Sequence, residues 1–126
     1  MAQFRPALSG IVRYGGVLTL VLGIFLWTGN FDALKSYHML LGIIVVLALW
    51  LLAGVYAASG KANIGMVSAA IVLGLAQALL GMSQESILPA TGHWIIQVVH
   101  LLLGLGVIGI GESISMAMKK ARPAVN

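Results

Sequence analysis

"YHMLLGIIVVLALWLLAGVYAAS", residues 37–59, runs for 23 positions without one charged side chain. A helix of that length is about 35 Å long, and the hydrocarbon layer of a bilayer is about 30 Å thick. The stretch therefore reads as a membrane-spanning helix. The rest of the chain has the same character: apolar residues make up 60% of its 126 positions and charged residues 8%, against roughly 45–50% and 25% in soluble domains. So little charge does not cover a water-facing surface. Three further apolar runs, 8–28, 62–82 and 94–118, are separated by turn-rich breaks: "TGNFDALKS" (28–36), "SGKAN" (59–63) and "SQESILPATGH" (83–93). The expected fold is an all-α integral membrane four-helix bundle, one domain over residues 1–126, built as two pseudo-repeated helical hairpins.

Four spans bring both chain ends to one side, together with the Gly60–Lys61 turn. That side collects Arg5, Arg13, Lys61, Lys119, Lys120 and Arg122, whereas the other holds Lys35 with Asp32 and Glu85. This asymmetry predicts cytoplasmic termini in a bacterial or archaeal inner (plasma) membrane, with Trp27 and Trp94 near the outer interface. The first run follows "MAQFRPALSG" without a small-residue cleavage pattern and reads as a retained helix rather than a signal peptide. The net charge of +4 does not imply nucleic acid, because the basic residues flank apolar runs instead of sharing one face. With no cysteine, disulfides, cysteine-based metal sites and c-type haem attachment are excluded.

Two of the three histidines sit in matching pentapeptides, "HMLLG" at 38–42 and "HLLLG" at 100–104. The second and fourth spans run in the same direction, so His38 and His100 enter from the same side. Gly42 and Gly104 fall one turn further along the same helical faces, where a missing side chain clears space beside an imidazole. Two such histidines on neighbouring helices are what a bis-histidine b-type haem requires, and both would be iron ligands. His38 stands 23 residues before Lys61 and His100 19 before Lys119, a level mismatch of about 6 Å that helix tilt absorbs. His93 is offset by a similar amount in the other sense. His100 is favoured as ligand because it lies deeper and has the glycine partner. His93, about 10.5 Å above it, then joins Gln97, Lys35 and Tyr37 as polar company for haem propionates. The bland alternatives are an interfacial His38 and a His100 hydrogen-bonded to Gln77 or Gln97.

Around these residues the chain resembles half of a haem A synthase. The likeness is carried by "HMLLG", by Gln77 in "QALLG" (77–81), by Pro89 and by "HLLLG", and it spans about residues 37–104. It implies a four-helix bundle whose second and fourth helices ligate haem through His38 and His100. In that family an acidic residue three positions before the first histidine serves the oxidation chemistry; Lys35 stands there here. Met39 replaces the arginine that usually follows the histidine, and the cysteine pair is missing. What carries over is the fold and the haem pocket, and an electron-transferring b-type cytochrome fits better than the synthase.

The remaining polar residues suggest little chemistry. Glu112 reads as the partner of Arg13 or Lys119 near the end of its span. Ala70, Gly74 and Ala78, like Gly54 and Ala58, are spaced for close helix packing. No nucleophile–base pair, paired carboxylate or phosphate loop is present. The function expected is electron transfer as a carrier or as a subunit of a respiratory or photosynthetic complex. Its partners would be the lipid bilayer and other membrane subunits or a quinol or cytochrome. The competing expectations are a cofactor-free structural subunit and a haem-modifying enzyme.

Overall fold

The computed structural model describes residues 3–29, 32–87 and 90–121. Pro89 and Arg122 lie outside them. Four helices carry the fold: α1 (Phe4–Trp27), α2 (Asp32–Ala57), α3 (Ile64–Ser83) and α4 (His93–Lys120). Each is long and apolar enough to cross a membrane, and the described residues form no strand.

The ends of the helices follow from local chemistry. α1 starts four residues before the expected position because Pro6 falls in its first turn, where a missing N–H leaves no hydrogen bond unmade. It ends at Gly29, which adopts φ +86° and donates its N–H to the Leu26 carbonyl at 3.1 Å. A left-handed residue closes a helix in this way at least cost when it has no Cβ. Gly60, at φ +70°, plays the same part after α2. α3 begins at an Asn63 cap whose side-chain oxygen accepts from Met66 N–H at 3.2 Å. The Asn63 N–H in turn donates to the hydroxyl of buried Tyr56 at 3.0 Å, so the tight turn is tied to the end of α2. α1 carries one π-helical turn, Ile11–Gly15, which includes Arg13. α2 opens on a 3-10 turn, Asp32–Leu34.

Consecutive helices pack side by side and α4 closes the bundle against α1. Across the diagonals α2 touches α4, whereas among the described residues α1 and α3 do not meet. Burial is confined to one end. Val12, Leu49, Leu52 and Ile114 are at most 2% exposed. With Tyr56, Ala70 and Met118 they fill the half that carries the chain ends and the Gly60 turn, here called the termini end. Among the described residues, burial stops at a level marked by Gly16, Val45, Gly74 and Val107. Beyond it, toward the loops before α2 and α4 (the loop end), no described side chain is buried. On the outside, Leu51, Val72 and Leu102 are about 60% exposed; large apolar side chains cover the surface of the bundle as they line its interior.

Arg13 and Glu112 meet in the packed half as a two-pronged pair, Nε to Oε1 at 2.6 Å and a terminal nitrogen to Oε2 at 2.5 Å. Of the two partners the sequence offered to Glu112, the structure selects Arg13. Ser9 and Ser115 add a hydroxyl contact of 2.7 Å between the same helices, α1 and α4.

Candidate functional site

The loop end holds a cleft of about 390 Å³ lined by all four helices. Its floor is the level where burial begins: Gly16, Val45, Val107 and Ile108. Its walls carry His38 and His100, and its mouth carries Asp32, Lys35, Gln84, Glu85 and His93. The cleft is thus apolar at depth and polar at the rim, with two imidazoles between.

The two rings are close neighbours across the cleft, in an edge-on arrangement. Their centroids are 6.1 Å apart and their planes make an angle of 61°. Each is held from the helix that precedes its own. The Nδ1–H of His38 donates to the Thr19 carbonyl of α1 at 2.9 Å. Because a carbonyl only accepts, that bond puts the proton on Nδ1 and leaves Nε2 with a free lone pair in the neutral ring. On the other side, Nε2 of His100 lies 3.4 Å from the amide nitrogen of Gln77 on α3. Nδ1 of His100 and Oε1 of Gln77 are buried without a hydrogen-bond partner among the described residues.

The glycines that face the rings are not those in the pentapeptides. A Cβ on Gly23 would come within 3.1 Å of His38 Cε1, and one on Gly81 within 2.9 Å of His100 Cε1. Gly42 and Gly104 also line the cleft, but they make room for side chains of the preceding helix. Their added Cβ atoms would meet the Thr19 methyl at 3.8 Å and the Gln77 amide at 3.2 Å. Thr19 and Gly23 therefore stand to His38 as Gln77 and Gly81 stand to His100. The signal was present in the sequence as "TLVLG" (19–23) and "QALLG" (77–81), where a hydrogen-bonding residue precedes a glycine by one turn.

Of the other expected site residues, His93 and Gln97 line the cleft, and Tyr37 is exposed and does not. Lys35 borders the mouth, where its ammonium pairs with Glu85. The pair holds the Glu85 carboxyl below its ordinary range, chiefly through the hydrogen bond from Lys35. It ties the start of α2 to the segment after α3, across the opening. Among the described residues no three or more His, Cys, Asp or Glu side chains gather as a metal-binding group.

The fold and site together define a four-helix bundle of membrane-spanning length with a histidine-lined cleft at one end. No family model, no curated protein and no solved structure matches the chain.

Proposed function

We propose that the chain is a membrane-embedded b-type haem protein that transfers electrons, and that His38 and His100 would hold the iron. The observation that carries this reading is the closeness of the two imidazoles, whose centroids lie 6.1 Å apart within one cleft. A spacing of that size is compatible with two imidazoles that would share one metal ion. The cradle supports the reading as well. Both rings are backed by a glycine, and both are anchored through one nitrogen, which is how metal-bound histidines are usually oriented. If the Gln77 amide is turned over, Oε1 accepts from His100 Nε2–H, and the orphaned Nδ1 keeps its lone pair for a ligand. A haem held by His38 and His100 would supply a one-electron couple. The protein's own part is to exclude water with the apolar floor, fix the rings through Thr19 and Gln77, and offer His93, Gln97 and Lys35 to propionates.

The four apolar helices support insertion in the bilayer, and the basic residues at the termini end support a cytoplasmic position for that end in a bacterial or archaeal plasma membrane. The parallel between Thr19–Gly23 with His38 and Gln77–Gly81 with His100 supports a pseudo-repeat of two hairpins. A chain with one such centre works with partners, a quinol or cytochrome or the subunits of a larger redox complex. A haem A synthase-like activity is the weaker reading, because Lys35 occupies the acidic position and is itself paired.

The test is to express the chain with ample haem, purify it in detergent, and record reduced-minus-oxidised visible spectra. His38→Ala and His100→Ala should each abolish the six-coordinate spectrum, and His93→Ala should retain the haem with a shifted potential. A colourless, folded preparation would sink the proposal in favour of a cofactor-free subunit. Loss of haem on His93→Ala alone would reassign the α4 ligand.

A further inference from the structure

At the opposite end of the bundle a second groove, of about 320 Å³, runs between α1 and α4. Three cations border it: Arg5, Arg13 and Lys119. Arg13 is already neutralised by its two-pronged bond to Glu112, and the hydroxyls of Ser9 and Ser115 are spent on one another and on the Gly111 carbonyl. Arg5 differs from both. Its Nε is buried and has no hydrogen-bond partner among the described residues. A buried guanidinium N–H without an acceptor is costly to leave unmade, and the groove beside it is open. A Cβ on Gly10, in the groove wall, would meet nothing within 4 Å. Arg5, with its unmet Nε–H, and Lys119, which makes no direct ion pair among the described residues but lies within electrostatic reach of Glu112, thus border an open recess at the end of a very apolar bundle. Beside it lie exposed Phe4, Ile11 and Met116, which suit acyl chains.

We propose that this groove binds the phosphate of an anionic phospholipid, with Arg5 and Lys119 as its cationic ligands. The inference rests on the reading of the four helices as membrane spans and is independent of haem. The Arg5 guanidinium, on the groove wall, offers charge-assisted N–H donors to phosphate oxygens, a geometry to which its planar fork is well matched. Lys119, in the last turn of α4, reaches from the other wall as a point charge. Basic pockets between helices at the membrane rim recognise lipid headgroups by this chemistry.

Native mass spectrometry of the detergent-solubilised protein with equal phosphatidylglycerol and phosphatidylcholine provides the test. Wild type should keep one phosphatidylglycerol in preference to phosphatidylcholine. Arg5→Gln with Lys119→Gln should lower that retention about fivefold for each cation removed. Lys61→Gln with Lys120→Gln, an equal charge change outside the groove, should leave it unaltered. Should the first double variant fail to fold, Gly10→Leu fills the recess while keeping every charge, and it should also expel the lipid. Equal retention of the two lipids by wild type, or an equal loss in the Lys61/Lys120 variant, overturns the proposal. Displacement of the lipid by an equal concentration of inorganic phosphate would show a site for small anions and overturn the lipid assignment. If the chain is instead recovered in the soluble fraction without detergent, the membrane reading itself has failed.

Discussion

The termini end and the loop end are made of the same four helices, yet they use glycine for opposite purposes. At the termini end and its boundary, glycine lets helices close on each other. An added Cβ would lie 2.7 Å from Ile108 at Gly16, 2.5 Å from Trp50 at Gly74 and 2.6 Å from Val12 at Gly111. At the loop end, Gly23 and Gly81 yield their space to imidazole rings, and the bundle encloses a cleft instead of a core. Lipid tails are as apolar as leucine, so packing between membrane helices draws mainly on close contact. The packed half provides that contact. The loop half does not, and there the four helices line a cleft with two imidazoles on its walls.

The contrast is most directly broken by truncating one leucine in each half. Leu52 is fully buried, and Leu52→Ala should cost about 1–3 kcal/mol. That is the cavity part of the usual penalty, since transfer to an apolar solvent contributes little inside lipid. Leu101→Ala, on the cleft wall, should cost much less, because the space it vacates joins a space already open. Unfolding of both variants in one detergent measures the difference, and equal losses would mean the loop end is packed after all. Next comes a pair that should differ in sign. Gly111→Ala presses a methyl against Val12, which is β-branched and 2% exposed, and should destabilise by about 1–2 kcal/mol. Gly42→Ala meets only the Thr19 methyl at 3.8 Å and should stabilise α2 by about 0.5–1 kcal/mol through helix propensity. A smaller effect is expected of Gly23→Ala and Gly81→Ala. Each should lower thermal stability less than Gly111→Ala and, if haem binds as proposed, shift its midpoint potential, because the new methyl pushes on a ring edge. Unshifted potentials in both would detach the glycines from the histidine site.

The number and approximate extent of the helices were legible because apolar runs and turn residues are local signals; the largest boundary errors, at Pro6 and Asp32, come from one proline tolerated in a first turn and one 3-10 turn. His38 and His100 were legible from their repeated pentapeptide. Their real companions were not, because Gly23 and Gly81 reach the rings across the hairpins, and contacts between helices leave no fixed spacing in the chain. The sequence also offered Gly42 and Gly104 as the clearing residues on same-helix geometry alone. In the structure that logic puts them one layer back, behind Thr19 and Gln77. The hollowness of one half was hidden for a related reason: Leu20 and Leu101, which face the cleft, are the same residue type as Leu49 and Leu52 in the core.

The Lys35–Glu85 pair gives the finest test, since it bears on the mouth of the cleft without contributing to the packed half. The Glu85 carboxyl is held below its ordinary value of 4.5, first by the hydrogen bond from Lys35 and then by its charge. A depressed carboxylate contributes its stabilisation above the unfolded-state pKa and loses it as pH falls through the lower folded-state value. The pair should therefore stay closed through neutral and mildly acidic pH, and release only as pH falls through the lowered Glu85 value. Both partners are well exposed, so global stability should barely change; exposed pairs contribute little. Local opening should show instead in hydrogen exchange of residues 32–35 and 83–87, with Lys35→Gln reproducing at pH 7 the exchange that wild type reaches only in acid. Faster exchange already between pH 7 and pH 5 in wild type would mean that another group governs the mouth. An unchanged rate in Lys35→Gln would mean that the ion pair does not fasten it.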